Sequence, residues 1–136
     1  MKAALVTGGA QRVGAHIARA LAAGGWFVLV HHNTSGAAAD ALCADIRAAG
    51  GRAEPLQADL ADAMAVERLM DSALQRAPGL ELLINNASVF TYDTPQTLDP
   101  VRALTGYAVN TLAPCQLARR LHATARAGAS KLVINL

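Results

Sequence analysis

The stretch TGGAQRVG, Thr7 to Gly14, directly follows the short apolar run AALV at Ala3–Val6. A glycine-punctuated turn between a strand and a helix is typical of a phosphate-binding loop, in which N–H groups at the helix start face an anion. Gly8 permits a tight turn after the strand, and Gly14 has no side chain to hold the helix away from the sheet. The middle position, where a glycine is usual, holds Arg12. Its planar guanidinium suits a phosphate or the edge of a heteroaromatic ring.

Two simpler interpretations of this loop remain open. Glycine-rich turns also occur as mere connectors between a strand and a helix. Arg12 also has the ordinary interpretation of a surface arginine at a helix start, although its charge there opposes the helix dipole.

Outside the loop, short apolar runs alternate with longer segments of helical period. The apolar runs predict strands at Lys2–Val6, Trp26–His31, Arg52–Gln57, Leu80–Ile84 and Lys131–Leu136. The periodic segments predict helices at Arg12–Ala23, Ser35–Ala49, Ala63–Ala77 and, as one long stretch, Pro100–Ala127. Continuously apolar strands separated by helices indicate a parallel sheet covered on both faces. We therefore predict a single α/β domain over residues 1–136, a doubly wound Rossmann-type fold with three α/β/α layers.

The buried face of the first helix is predicted from its apolar period. Val13, Ile17 and Leu21 recur at four-residue steps, which places them on one side of the helix. We expect this side to pack on the sheet.

Composition and charge exclude several classes of protein. The 136 residues are 53% hydrophobic and 16% charged, with a net charge of +2, which is too small to indicate a nucleic-acid or anionic-membrane partner. No apolar stretch approaches the roughly 20 residues of a spanning helix, and the N-terminus lacks a secretory signal, so we expect a cytoplasmic protein. Cys43 and Cys115 are isolated and are predicted to be buried thiols, and no metal site is predicted.

Polar residues also follow the third and fourth predicted strands, and one lies in the last predicted helix. Asp59, in QADL, could accept a hydrogen bond from an exocyclic amino group or could cap the next helix. The amides of NNAS, Asn85–Ser88, suit either their own backbone or a ribose. Asn110, in YAVN, is a polar residue on an apolar helical face, where a helix kink or a satisfied core group is the ordinary alternative. Together with the loop, these sites line one edge of one sheet.

The combination of TGGAQRVG, QADL, NNAS and YAVN resembles the short-chain dehydrogenase/reductase family, in order and spacing, over nearly the whole chain. Within that family, the arginine in the loop and the run NNASVF are similar to the pteridine reductase branch, which includes dihydromonapterin and dihydrofolate reductases of this fold. The resemblance implies reduction of a pteridine with NADP(H). It also implies a homo-oligomer, a dimer or tetramer, assembled through the helices corresponding to Pro100–Ala127.

The same resemblance implies roles for individual residues. Arg12 would contact both cofactor phosphate and substrate, Ser88 would hydrogen-bond either of them, and Phe90 would stack on the pterin; a plain hydrophobic plug is the alternative for Phe90. Asn110 would match the active-site asparagine. The cofactor-binding set is Gly8, Gln11, Arg12, Val13, Gly14, His31, His32, Thr34, Ser35, Asp59, Leu60, Asn86, Ala87 and Ser88.

The choice between NADP and NAD depends on the end of the second strand. An NAD site usually carries an acidic residue there to bind the ribose 2′-hydroxyl, and His31–Ser35 (HHNTS) contains none. The absence of a carboxylate removes a repulsion against a 2′-phosphate and favours NADP(H). Relatives often carry a lysine before the loop arginine and an arginine after this strand, whereas this chain has Gln11 and Thr34.

The resemblance further implies a catalytic tyrosine followed four residues later by a lysine. Tyr92 and Tyr107 are followed at that distance by Gln96 and Thr111, so this sequence does not contain the pair. We therefore expect the chain to be the N-terminal, cofactor-binding part of a longer reductase. The alternatives are a reductase of a ketone of acyl-carrier or sugar type, a non-catalytic nucleotide-binding module that ends at Leu136, and a flavodoxin-like domain, which fits the loop poorly.

Overall fold

Five parallel strands form one sheet in the computed structural model, which describes residues 1–125 and 129–136. Their order is β3-β2-β1-β4-β5. Every predicted strand boundary lies within one residue of the observed one, and the doubly wound Rossmann-type fold is confirmed. The strands are β1 (Ala3–Val6), β2 (Phe27–His32), β3 (Arg52–Gln57), β4 (Leu80–Asn85) and β5 (Leu132–Asn135).

Helices connect the strands and cover both faces of the sheet. They are α1 (Arg12–Ala23), α2 (Gly36–Ala48), α3 (Ala63–Arg76), α4 (Pro100–Tyr107) and α5 (Ala113–Ala123). Within the described ranges, none of these helices combines the length and the apolar character needed to cross a membrane.

The helical stretch predicted as continuous from Pro100 is interrupted. A π-helical turn at Ala108–Leu112 separates α4 from α5. Pro114 has no N–H to donate to the carbonyl of Asn110 four residues earlier, and its ring crowds that carbonyl, which explains why the helix widens at this point. Helix α5 ends at Ala123, and the predicted end at Ala127 lies outside the described residues.

The core consists of two apolar layers, one on each face of the sheet. Alternate strand residues point to opposite faces, so Leu5 and Leu83 pack with α3 and α5, whereas Val6 and Ile84 pack with α1 and α2. This arrangement gives the three layers and leaves the carboxyl ends of the strands open at one edge.

The buried face of α1 agrees only in part with the predicted one. Ile17 and Leu21 are partly buried against the core, as predicted. Gly14, Ala18 and Ala22 face the sheet, and Val13 is 59% exposed. Small residues allow α1 to lie close to β1 and β2, so the helix is rotated by one residue from the orientation that its larger apolar residues suggested. The rotation places Val13 beside the carboxyl edge of the sheet.

Only one of the two cysteines is buried. Cys43 lies inside the α2 layer, where burial raises the pKa of its thiol to about 11. Cys115 is exposed, and the prediction of two buried thiols is wrong. The buried stripe of α5 runs through Ala113, Leu117 and Leu121, and a residue two positions after Ala113 falls outside it.

Candidate functional site

A cleft of about 450 Å³ opens at the carboxyl ends of the strands. It lies where β1 separates the β2–β3 half of the sheet from the β4–β5 half, which is the switch point at which open α/β sheets bind ligands. Its walls come from the loops after β1, β2, β3 and β4 and from the π-helical turn. The lining residues are Gly8, Gln11, Arg12, Val13, Gly14, His31, Asn33, Asp59, Leu60, Asn86, Ala87, Ser88, Val89 and Val109.

Two glycines set the shape of the loop after β1. Gly8 has a φ of 59°, and a Cβ added there would lie 2.9 Å from the Cα of Ala87. A Cβ on Gly14 would lie 2.2 Å from the carbonyl oxygen of Gly8. The start of α1 therefore packs directly on the loop and the end of β4, and the space between them is too small for a side chain on Gly8 or Gly14.

Arg12 has a strained backbone at the mouth of the cleft. Within residues 1–125 and 129–136 it is the one non-glycine residue with a positive φ, 49°, a conformation that costs an L-residue about 1–2 kcal/mol. Its side chain is exposed, and it takes part in none of the ion pairs between described residues. The guanidinium is left available at the helix start.

The first turn of α1 also offers backbone donors. Its first hydrogen bond runs from Ala15 N–H to the carbonyl of Gln11 at 3.2 Å. The N–H groups of Arg12, Val13 and Gly14 precede that bond and have no intrahelical acceptor. With the helix dipole and the guanidinium, they give this wall of the cleft a positive potential.

His31, on β2, connects the loop after β1 to the segment after β3. Its Nδ1 accepts a hydrogen bond from Gly8 N–H at 3.1 Å, and its Nε2 lies 3.0 Å from the carbonyl oxygen of Ala58. Burial lowers the pKa of His31 to about 4, so the ring is neutral at physiological pH. Both ring nitrogens have backbone partners, so His31, which was predicted as a cofactor-binding residue, supports the loop here and also lines the cleft.

Thr7 and Asn86 connect the ends of β1 and β4. The Thr7 hydroxyl accepts the N–H groups of Asn86 and Ala87, each at 3.0 Å. In return, Asn86 Nδ2 donates to the carbonyls of Thr7 and Gly8, also at 3.0 Å. The NNAS amides were expected to bind either their own backbone or a ribose. The Asn86 amide binds backbone, and Asn86 also lines the cleft.

Asp59 lies exposed at the end of β3 and does not cap α3. Its Oδ1 accepts from Ala61 N–H at 2.9 Å, and the helix cap is Asp62, which accepts from Met64 N–H at 2.8 Å. Asp59 also lines the cleft, so its carboxylate lies where an acceptor was expected.

Asn110 fixes the segment after β4. Its amide makes two hydrogen bonds with the backbone of Val89, and Val89 and Val109 form an apolar wall of the cleft. Ser88 lines the cleft next to them. Phe90 is 87% exposed and lies outside the lining, so it does not act as a plug among the described residues.

The structure brings most, but not all, of the predicted site residues into this cleft. His32, Thr34, Ser35, Phe90 and Asn110 are not part of its lining. The first three continue the edge beyond it, and His32 Nδ1 is buried without a hydrogen-bond partner among the described residues.

Sequence reasoning missed three residues of the cleft: Asn33, Val89 and Val109. Asn33 accepts a hydrogen bond from Gln57 Nε2 at 3.3 Å. Its position between His32 and Thr34, which were both predicted, was the signal that could have identified it. The two valines carry no polar group and gave no signal.

The profile described as short chain dehydrogenase matches residues 2–135 of this sequence. The chain belongs to this family. As a member of the short chain dehydrogenase family, it is 42% identical over 91 residues to an uncharacterized oxidoreductase of Methylorubrum extorquens, an alignment that covers 67% of this chain and 37% of that protein. It is 43% identical over 91 residues to a 3-oxoacyl-[acyl-carrier-protein] reductase of Synechocystis sp., covering 67% of this chain and 36% of the relative.

A solved structure shares the architecture described above over nearly the full length of this chain. The chain is similar, with a TM-score of 0.92 and 35% identity, to FolM alternative dihydrofolate reductase 1 from Brucella canis, which was crystallised with NADP. The match covers 98% of this chain and 52% of that one. The chain thus spans about half of this neighbour and little more than a third of the two relatives above.

Proposed function

We propose that this chain is the NADP(H)-binding part of a short-chain reductase whose substrate is a pteridine. The observation that carries the proposal is Arg12, which occupies a strained, left-handed position at the mouth of the cleft with its guanidinium free of ion pairs among the described residues. Glycine would adopt this conformation without strain. Backbone strain that is retained at a cleft supports a functional role for the residue that bears it.

The cleft residues fit a dinucleotide. The N–H groups at the start of α1 suit a pyrophosphate, and the free oxygen of Asp59 suits the amino group of adenine. His31–Ser35 contains no carboxylate, and His32, Thr34 and Ser35 supply an imidazole and two hydroxyl groups to a 2′-phosphate. NADP in the similar FolM structure supports the same choice.

The residues of this chain would bind and orient, while the bound NADPH supplies a hydride. The loop and Asn86 hold the cofactor end of the cleft, and Val89 and Val109 exclude water from its apolar wall. Holding the two reactants together lowers the entropic part of the barrier. The proton donor, a tyrosine with a lysine four residues later, is proposed to lie in a part of the protein outside these 136 residues.

Arg12, Ser88 and Phe90 are the proposed substrate contacts. A guanidinium offers donors in one plane, which suits the nitrogen-rich edge of a pterin, and an aromatic ring suits its face. Phe90 is exposed and only 4% of the chain is aromatic, so an aromatic side chain placed two residues after Ser88 supports stacking.

A second candidate is the reduction of a ketone carried on an acyl carrier. The 43% identity to the Synechocystis 3-oxoacyl reductase favours it. This reaction needs the same cofactor but no planar heteroaromatic site, so Phe90 separates the two candidates.

The test is a substrate panel with NADPH on the protein at its full native length. The panel contains dihydrofolate, dihydromonapterin and a 3-oxoacyl ester, with Phe90→Leu as the variant and Tyr92→Leu, an equally exposed neighbour, as the control. We expect Phe90→Leu to raise KM for the pteridine about tenfold, since a stacked ring contributes roughly 1–3 kcal/mol, and Tyr92→Leu to leave it unchanged. Turnover of the oxoacyl ester alone would replace the pteridine proposal with the second candidate.

We also propose that the protein forms a homo-oligomer through α4 and the turn that follows it. Val101, Leu104, Tyr107 and Leu112 are exposed on this segment, with Val101 at 72% and Leu104 at 69%. Light scattering of the native protein tests this; a monomer at micromolar concentration contradicts it. The cytoplasmic location stays a prediction.

A further inference from the structure

A single buried side chain connects three segments beneath the cleft. His31, at 2% exposure, belongs to β2, contacts Gly8 in the loop after β1 through Nδ1, and contacts Ala58 after β3 through Nε2. Its own carbonyl accepts the N–H of Gly9 at 2.9 Å. The N–H groups of Gly8 and Gly9 are thus both bound by one residue of the neighbouring strand.

The partners determine the protonation of the ring. A backbone N–H only donates and a carbonyl only accepts, so Nδ1 must carry the lone pair and Nε2 must carry the hydrogen. One neutral tautomer satisfies both contacts. The ionisable group that acts on the ring is the adjacent His32, while Asp59 after β3 and Arg12 in the loop line the same cleft as His31.

The contact with Gly8 bears on the geometry of the loop. Gly8 has a positive φ, and the start of α1 packs on its carbonyl at Gly14. A displacement of Gly8 therefore shifts the first turn of α1, whose N–H groups face the cleft. The contact with Ala58 has no such connection to the helix.

We propose that His31 is a positioning residue for the cofactor, which sets the affinity for NADP(H) by fixing Gly8 through Nδ1 without touching the cofactor itself. This inference rests on the proposed binding of NADP(H). It assigns the larger effect on affinity to the contact with Gly8, because that contact bears on the first turn of α1.

Two substitutions separate the contacts. The amide of asparagine reaches the place of Nδ1 and can accept from Gly8, whereas the amide of glutamine reaches the place of Nε2 and can donate to Ala58. His31→Asn and His31→Gln each keep one hydrogen bond and lose the other. A control, Ile46→Val, removes one methylene from the buried end of α2, at the opposite edge of the sheet, and lowers the thermal midpoint without touching the cleft.

The experiment measures the Kd of NADPH by its fluorescence and the thermal midpoint, on the protein at full native length. We expect His31→Gln to bind NADPH about tenfold more weakly than His31→Asn, with similar midpoints, and Ile46→Val to bind like the wild type. Equal Kd values for the two His31 variants would overturn the positioning role. Failure of the wild type to bind NADPH would instead overturn the proposed function.

Hydrogen exchange on the unmodified protein provides the second measurement, which applies even where a variant does not fold. If His31 positions the loop for the cofactor, bound NADPH should slow the exchange of the Gly8 amide more than that of Val6 in the core of β1. Equal slowing of both amides, or none, counts against the proposal.

Discussion

Asn110 and the backbone of Val89 form a reciprocal pair of hydrogen bonds. Asn110 Nδ2 donates to the Val89 carbonyl and Val89 N–H donates to Asn110 Oδ1, both at 2.8 Å. One planar group must both donate and accept, which a carboxylate or an alkyl side chain does not do. The π-helical turn thus anchors the segment that carries Ser88 and Phe90, and the catalytic role that the resemblance implies for Asn110 stays a prediction.

Breaking this pair should free the segment after β4. In Asn110→Leu, we expect the Val89 amide to exchange with solvent about fivefold faster, because one hydrogen bond of about 1 kcal/mol no longer protects it. Exchange rates measured by NMR check this. Thr111→Val, in the same turn, is the control and should leave the rate unchanged; an unchanged rate in Asn110→Leu would contradict the anchoring role.

Arg12 should show opposite effects on stability and on binding. Arg12→Gly removes the strain of the left-handed conformation, whereas Arg12→Ala keeps it, so the glycine variant should be more stable than the alanine variant by about 1 kcal/mol. Both variants lose the guanidinium, and both should bind NADPH about tenfold or more weakly, since a charge-assisted hydrogen bond contributes about 1.5–3 kcal/mol. Urea unfolding and NADPH titration measure the two effects; an alanine variant as stable as the glycine variant would show that the residue is not strained.

The sequence was sufficient for the sheet but not for details that depend on packing. The strand at Leu80 was predicted to within one residue, because the apolar run LELLI between a glycine and a polar loop marks a strand without reference to neighbours. The predicted face of α1 was wrong at Val13, which is exposed, because the close approach of α1 to the sheet places Gly14 and Ala18 nearest to it. The period of apolar residues shows which side of a helix is hydrophobic. The distance between helix and sheet decides which side chains are small enough to lie between them.

The candidate site shows the same division. The glycine loop and the polar strand ends were found because their residue types have a chemical meaning at that place in the fold. The supporting role of His31 depends on the distances to Gly8 and Ala58, which no local pattern contains. Pro114 could have indicated the interruption before α5, which was predicted as part of one continuous helix. The form of the interruption, a π-helical turn, depends on tertiary contacts.

Gly14 should tolerate no side chain. In Gly14→Ala the new Cβ meets the Gly8 carbonyl at 2.2 Å and Asn86 Nδ2 at 2.7 Å, so we expect a loss of roughly 1–3 kcal/mol of stability and weaker NADPH binding. Gly106→Ala is the matched control, because a Cβ there meets nothing within 4 Å and should stabilise α4 by about 0.5–1 kcal/mol. Thermal unfolding distinguishes them, and equal midpoints would contradict the close packing of the loop.

Acid should destabilise the protein through His31. Its folded pKa of about 4 lies below the ordinary value of 6.5, because burial disfavours the charged ring. The unfolded chain therefore takes up a proton as the pH falls below 6.5, the folded protein does so only near pH 4, and stability falls across this window by about 3 kcal/mol. His31→Asn should lack this component in urea unfolding between pH 7 and pH 4. The exposed His122, replaced by asparagine, is the control; a wild type whose stability does not change in this window would contradict the assignment.

The most direct test of the account is the affinity of the protein for NADPH and for NADH, measured by fluorescence titration at one pH and ionic strength. The account predicts that NADPH binds at least about tenfold more tightly, because no carboxylate at the end of β2 opposes the 2′-phosphate. Equal binding of the two cofactors would contradict the choice of NADP(H), and binding of neither would contradict the assignment of the cleft as a dinucleotide site.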